Sequence, residues 1–399
     1  MRDFSLLFTA IDDADVIGLA VRLIQQPSHP GIDRQEEAAV GALAGYLTHW
    51  GLRPVLSEVV PGRPNLVCTV AGRSPGPHLL LCGHLDTVPL NAKDEGDRFS
   101  GAVRNGRLHG RGAVDMKGAI AAMAGALVGL SRTDALESGA VSLAALIDEE
   151  RESLGAEDLI RSPFRADGAI VGEPTGSRIC LGHLGLEWIE VEFIGRAAHG
   201  STPDAGTNAI SAAARFVQLV DDEIAPRLKE RPHPLLGPAR VNVGTIAGGD
   251  QPSTVAARCT VTLDRRLVPG ESLESVCDEL ADVLRRVEIG LPGLRTRIRR
   301  VPGSTATLDH VALVTDVDAP VARAAMAAQR IVSGEVGVPG AFAAWSDGAL
   351  LAAYGGIPSI VLGPGDVSLA HSPHESVDIE EVLAAARLYA TSALAFCRA

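Results

Sequence analysis

Short apolar runs bounded by glycine or proline alternate with amphipathic stretches over about the first 180 residues, and this alternation constrains the fold most. The spacing predicts helices over 13–25, 35–50 and 116–130, and buried strands over 65–70, 78–82, 141–147 and 168–172. Strands separated by helices pair in parallel through crossovers, so the expected fold is α/β on a mixed, mostly parallel sheet. The pattern resumes near residue 320, with helices expected at 321–332, 347–354 and 379–397 and a strand at 359–362.

The stretch between reads differently. Residues 187–194, EWIEVEFI, alternate as a half-exposed strand does. A helix over 208–224, a proline-rich loop, strands over 239–247 and 257–268, a helix over 272–287 and a strand over 296–300 follow. This β-α-β-β-α-β order is that of a small ferredoxin-like α+β domain. At 399 residues the chain exceeds what one core usually serves. We therefore expect an α/β domain of residues 1–183 and 301–399, interrupted by an inserted domain of residues 184–300.

Composition narrows the partners. A formal net charge of −13 repels phosphate backbones and anionic lipid, which argues against nucleic-acid and membrane partners. The six cysteines are far apart and form no C-x-x-C pair, as expected of reduced thiols in a cytoplasmic protein. The apolar run at the start is quickly broken by acids, unlike a secretory signal. The small-residue run 118–130 is too short for a bilayer.

Chemistry gathers where strands end. The strand LLLCG leads into His84-Leu85-Asp86, the segment GRGAV into Asp115, the strand at 141–147 into Asp148-Glu149-Glu150, and AIVG into Glu173. A fifth segment, Ala370-His371-Ser372-Pro373-His374-Glu375, follows a glycine-rich turn. Singly, each has an ordinary explanation: a turn histidine, a helix N-cap at Asp115, a solvated acidic turn. Together they put histidines and acids at one edge of one sheet, where open α/β sheets bind ligands. Four carboxylates in a cleft (Asp115, Glu149, Glu150, Glu173) repel unless cations compensate. Two divalent ions would do so, and mixed imidazole and carboxylate donors suit zinc, with cobalt or manganese as substitutes.

The strings HLDTVP, GRGAVDMKG, DEE, GEPT and AHSPHE, in this order, resemble the co-catalytic dizinc hydrolases. That family includes acetylornithine deacetylase, succinyl-diaminopimelate desuccinylase, aminoacylase and glutamate carboxypeptidase. The resemblance implies a zinc-peptidase-like catalytic domain with an inserted lid and dimerisation domain. It implies that Asp115 bridges two zinc ions, with His84 and Glu173 completing one shell and Glu150 and His371 the other. His371 takes the last position because it begins the AH-x-x-x-E pattern, with His374 as its competitor. Asp86 would orient His84, and Glu149 would be the general base acting on a metal-bridging water.

In the inserted domain, AHGSTP and GTNAI resemble the lid. His199 would donate to the developing oxyanion, in its own site or the partner subunit's, and Asn208 would meet substrate. Asp264-Arg265-Arg266-Leu267-Val268-Pro269-Gly270-Glu271 is similar to the family's D-x-R-x-x-P-G-E, making Arg266 the candidate for a substrate carboxylate. The segment Ser253 to Ala256 departs from the family's usual N-x-V-P. The expected activity is removal of an acetyl or succinyl group from an N-acyl amino acid by a cytoplasmic homodimer. The alternatives are a carboxypeptidase or dipeptidase acting on short peptides, and a non-catalytic dimeric binding protein. His78, His109 and His183 are read as structural.

Overall fold

The computed structural model describes residues 4–91 and 96–398. They form two compact units, Met1–His183 with Leu313–Ala399, and Leu184–Ala312.

In the first unit the strands are rich in Val, Leu and Ala and largely buried, as strands covered by helices on both faces must be. The described residues build a nine-stranded sheet. Its centre is parallel: Ala140–Leu146, His78–His84, Gly168–Val171 and Ser359–Val361 lie side by side in that order. Antiparallel strands finish both sides: Val55–Val60 and Arg63–Ala71 on one, Cys180–His183 and Leu313–Val314 on the other. Because the four central strands run the same way, their carboxyl ends share one edge.

The helices Gly118–Thr133 and Ile379–Phe396 pack against each other. By length and composition Ala113–Thr133 would pass for a membrane span, yet its apolar stretch is buried inside this unit. The helix begins at Gly118, with Lys117 at its N-cap, two residues later than the sequence pattern suggests. Asp115 therefore caps nothing. Its backbone is extended (φ −128°, ψ 92°), and the Asp115–Met116 peptide is cis.

The second unit carries a four-stranded antiparallel sheet in the order Arg240–Gly248, Arg258–Leu267, Gly185–Ile194, Arg295–Arg300. Numbered along the chain, that is second, third, first, fourth, the ferredoxin-like arrangement. Alternate residues Ile189, Val191 and Phe193 point inward and meet Phe216 of the helix Ala209–Leu219 and Leu280 of the helix Leu273–Ile289. The unit runs past 300 to Ala312 because its two ends are stitched together. Leu186 N–H donates to His310 O (2.8 Å), and Arg300 bridges Glu187 (2.5 Å) and Asp309 (2.6 Å).

Candidate metal centre

Two histidines converge on one carboxylate at the carboxyl edge of the central strands. His84, the last residue of its strand, sets Nε2 3.1 Å from Asp115 Oδ1. His371 sets Nε2 3.1 Å from the other oxygen, Asp115 Oδ2. Each oxygen of Asp115 thus faces a different imidazole, the geometry of a carboxylate shared between two centres. Around the first centre Glu173 Oε1 lies 3.5 Å from His84 Nε2, and around the second Glu150 Oε1 lies 2.9 Å from His371 Nε2. His371 adopts a left-handed backbone (φ 57°). The imidazole of His374, three residues on, makes no hydrogen bond or ion pair among the described residues.

Asp86 meets His84 through both its backbone and its side chain. His84 Nδ1–H donates to the Asp86 backbone carbonyl (3.0 Å), while the Asp86 carboxylate lies 3.4 Å from Nδ1. That carboxylate also accepts from the backbone N–H groups of Glu149 (3.1 Å) and Glu150 (3.0 Å). Asp86 thus fixes the tautomer of His84 through its backbone and holds the Glu149–Glu150 turn through its side chain. Glu149 Oε2 lies 3.9 Å from His84 Nε2. The ligand atoms of His84, Glu149 and Glu173, and likewise those of His84, Asp115 and Glu150, fall within 4.8 Å of one another.

The electrostatics call for cations. Burial foremost, reinforced by Asp115 and opposed by His84, pushes Glu173 up to about 7. Burial likewise drives Glu149 well above the carboxylate range; His84 opposes this, and Glu173 and Asp347 add to it. For the histidines burial favours the neutral ring, yet hydrogen bonds to the acids outweigh it. His84 is held well above its usual range, and His371 rises to about 10 against Asp115 and Glu150. Glu173 Oε1 is buried without a hydrogen-bond partner. A buried orphan oxygen, crowded acids and two inward-facing imidazoles make a donor set that fits divalent ions.

Two buried groups near the cluster escaped sequence reasoning. Asp347 is buried, with Oδ1 unpartnered, and burial carries its carboxyl up to about 7. In the string WSDGALL it looks like any acid opening a helix, and no signal set it apart. Lys117 is fully buried beside Asp115 in sequence; its Nζ donates to Gln26 O (2.7 Å), and burial lowers it to about 7. The DMKG string held this lysine in view without giving it a role.

Glu375 locks the segments that carry Asp115 and His371. Its Oε1 accepts from Gly112 N–H (2.8 Å), and its Oε2 accepts from Arg111 (2.5 Å), with both side chains buried. Removing one partner of a buried ion pair usually costs about 3–5 kcal/mol. Glu375→Ala is accordingly expected to lose about that much stability in urea unfolding, whereas removing an exposed ion pair would cost about 1 kcal/mol or less.

In the second unit, His199 is exposed, and its Nδ1 accepts from Ser201 N–H (3.2 Å). The neutral ring therefore carries its proton on Nε2, which remains a donor. Asn208 caps the helix Ala209–Leu219, its Oδ1 accepting from Ile210 N–H (2.9 Å) and Ser211 N–H (3.2 Å). Arg266 gives its fork to Asp264 (2.7 and 3.0 Å), two residues away on the same face of the strand. In this structure the Asn208 amide oxygen and two nitrogens of the Arg266 guanidinium are engaged locally. His78 bonds Ser142 Oγ (2.8 Å), His183 bonds Ser346 Oγ (3.0 Å), and His109 pairs across from Ser376.

Comparison with known proteins accords with this geometry. Peptidase family M20/M25/M40 matches residues 80–395. Acetylornithine deacetylases of Photorhabdus laumondii and Proteus mirabilis are 30% and 29% identical, each over 87% of this chain and 87% of their own. An M20 family metallo-carboxypeptidase of Sulfolobus solfataricus shares the fold, with TM-score 0.79 and 20% identity over 96% of this chain and 100% of that one.

Proposed function

This chain belongs to peptidase family M20/M25/M40 and is a hydrolase of amide bonds; on that premise we propose that it is a dizinc deacylase of N-acyl amino acids. The observation that carries the metal part is Asp115, with one oxygen toward His84 and the other toward His371. The substrate class rests on similarity to the acetylornithine deacetylases across most of the chain. His84, Asp115 and Glu173 would hold one ion and Asp115, Glu150 and His371 the other, with zinc the ion that these donors suit and cobalt or manganese as substitutes.

Bound there, the ions would bring the pKa of water near neutrality and polarise the scissile carbonyl. Everything else falls to the chain. Glu149 takes the proton of the attacking water and passes it to the leaving nitrogen. Its burial, which raises its proton affinity, suits that relay. Asp86 aims Glu149 by gripping its backbone N–H. His199, with its proton on Nε2, is the proposed donor to the oxyanion. Arg266 and Asn208 are the proposed substrate contacts, which requires Arg266 to exchange Asp264 for a substrate carboxylate. We place the enzyme in the cytoplasm as a homodimer joined through its inserted unit.

The test is a hydrolysis panel on zinc-loaded protein: acetyl, succinyl and formyl amino acids beside dipeptides. Turnover of an acyl amino acid well above that of every dipeptide is expected. The reverse ranking would replace the deacylase reading with a dipeptidase one.

A further inference from the structure

The turn that carries Glu149 and Glu150 is an unfavourable piece of backbone. Asp148 and Ser153, at its two ends, are non-glycine residues in left-handed conformations (φ 68° and 55°). Such residues persist only where their surroundings over-determine them. Besides Asp86, which accepts from the Glu149 and Glu150 N–H groups, the surroundings are two side chains of one neighbouring strand. Arg63 and Asn65 sit two apart on Arg63–Ala71, so they share a face, and that strand runs antiparallel to Ala140–Leu146, which feeds the turn. Asn65 accepts from Ile147 N–H (3.2 Å) and donates to Gly155 O (2.9 Å), pinning both flanks. Arg63 donates to Asp148 Oδ1 (2.7 Å).

A third group aims the guanidinium. Glu36, wholly buried, takes Arg63 Nε (2.7 Å) on one oxygen and an NH2 proton (2.6 Å) on the other. This paired contact fixes the guanidinium plane, and the same terminal nitrogen reaches Asp148. The chain of contact is Glu36, Arg63, Asp148, then Glu149 by covalent bond.

We propose that Arg63 is a positioning residue for the general base, acting through Asp148; this rests on the assignment of Glu149 above. Removing it releases the left-handed residue, and Glu149 drifts from its working position. A displacement of about 1 Å in a reacting group can cost about 10²-fold in rate.

The experiment compares Arg63→Met, Arg63→Lys, Asp148→Asn and the Arg63→Met/Asp148→Asn double variant in zinc-saturated protein. Asparagine tolerates the left-handed backbone as aspartate does, so Asp148→Asn keeps the backbone while removing the charge and one of the two oxygens that accept from Arg63 and Glu152 N–H. Each is assayed for bound zinc, melting temperature, kcat and KM. The expected result for Arg63→Met is two ions bound, KM within about twofold, and kcat lower by about 10–100-fold. Arg63→Lys should recover part of kcat, and the double variant should be no slower than the worse single one. A purely structural arginine would give a lower melting temperature with kcat intact, which overturns the proposal. If Arg63→Met does not fold, Asp148→Asn and Arg63→Lys decide by the same criteria. Glu149→Gln, run in parallel, separates the two claims: if it keeps its kcat the base assignment itself is wrong, whatever Arg63 does.

Discussion

Glu149→Gln is expected to lower kcat on the best acyl amino acid by about 10²–10⁴-fold, the range that positioned general bases contribute. Two ions should stay bound, because His84, Asp115, Glu150, Glu173 and His371 are untouched. Glutamine keeps the size and one acceptor oxygen but cannot hold the transferred proton, so the change isolates proton transfer. The turn should keep its shape too, since Asp86 grips backbone N–H groups that the substitution leaves in place. Calorimetric metal titration beside steady-state kinetics checks both halves. Retained kcat would remove Glu149 from its role. Loss of an ion together with kcat would make it a ligand instead, a geometry that its approach to His84 and Glu173 permits.

Stripping the metals should produce the second large effect, one that depends on pH in a defined direction. In the metal-free protein burial pushes Glu173 up to about 7 from an ordinary value of 4.5, and Asp347 up to about 7 from 3.8. A raised acid binds more protons folded than unfolded, so its contribution to stability is fully present below the unfolded pKa and is lost as pH rises through the folded one. His371, raised from 6.5 to about 10, acts in the same sense at higher pH. Asp115, held below its usual range, acts oppositely but only in strong acid. The metal-free protein should therefore lose several kcal/mol of stability between about pH 4.5 and pH 7. Zinc should restore it, and more so at the upper end, because carboxylates must be deprotonated to bind an ion. Thermal unfolding at several pH values, with and without zinc, measures this.

The fold and the cluster differ in how openly the sequence displays them. Buried parallel strands such as His78–His84 are visible because both faces are apolar, and the alternation of 187–194 is visible because one face is not. Strands without either signature were missed: Val55–Val60 is mostly exposed at a sheet edge, and Cys180–His183 is short and glycine-containing. The helix after Asp115 starts later than the sequence suggests, because Met116 and Lys117 are good helix formers while the backbone at Met116 is non-helical (φ −133°, ψ 34°). Among the candidate site residues, His84, Asp115, Glu149, Glu150 and Glu173 stand out because acids and histidines ending apolar strands are chemically conspicuous. The groups that hold them do not stand out. No motif marks Arg63 or Glu36, and Asp347 looks like any helix-opening acid. Only tertiary structure shows that all three reach the interior, since the contacts of Arg63 lie 27 and 85 residues away. Asp86 was legible as a partner of His84, but not as the acceptor for two backbone amides.

The most direct test of the central claim is the number of divalent ions bound per chain after zinc loading and exhaustive dialysis, in the parent protein and in two variants. The parent should hold two. His371→Ala should hold about one, and Asp115→Ala, which removes the carboxylate facing both histidines, should hold none tightly. A parent protein that retains no zinc, or an Asp115→Ala variant that retains both ions, would contradict the account.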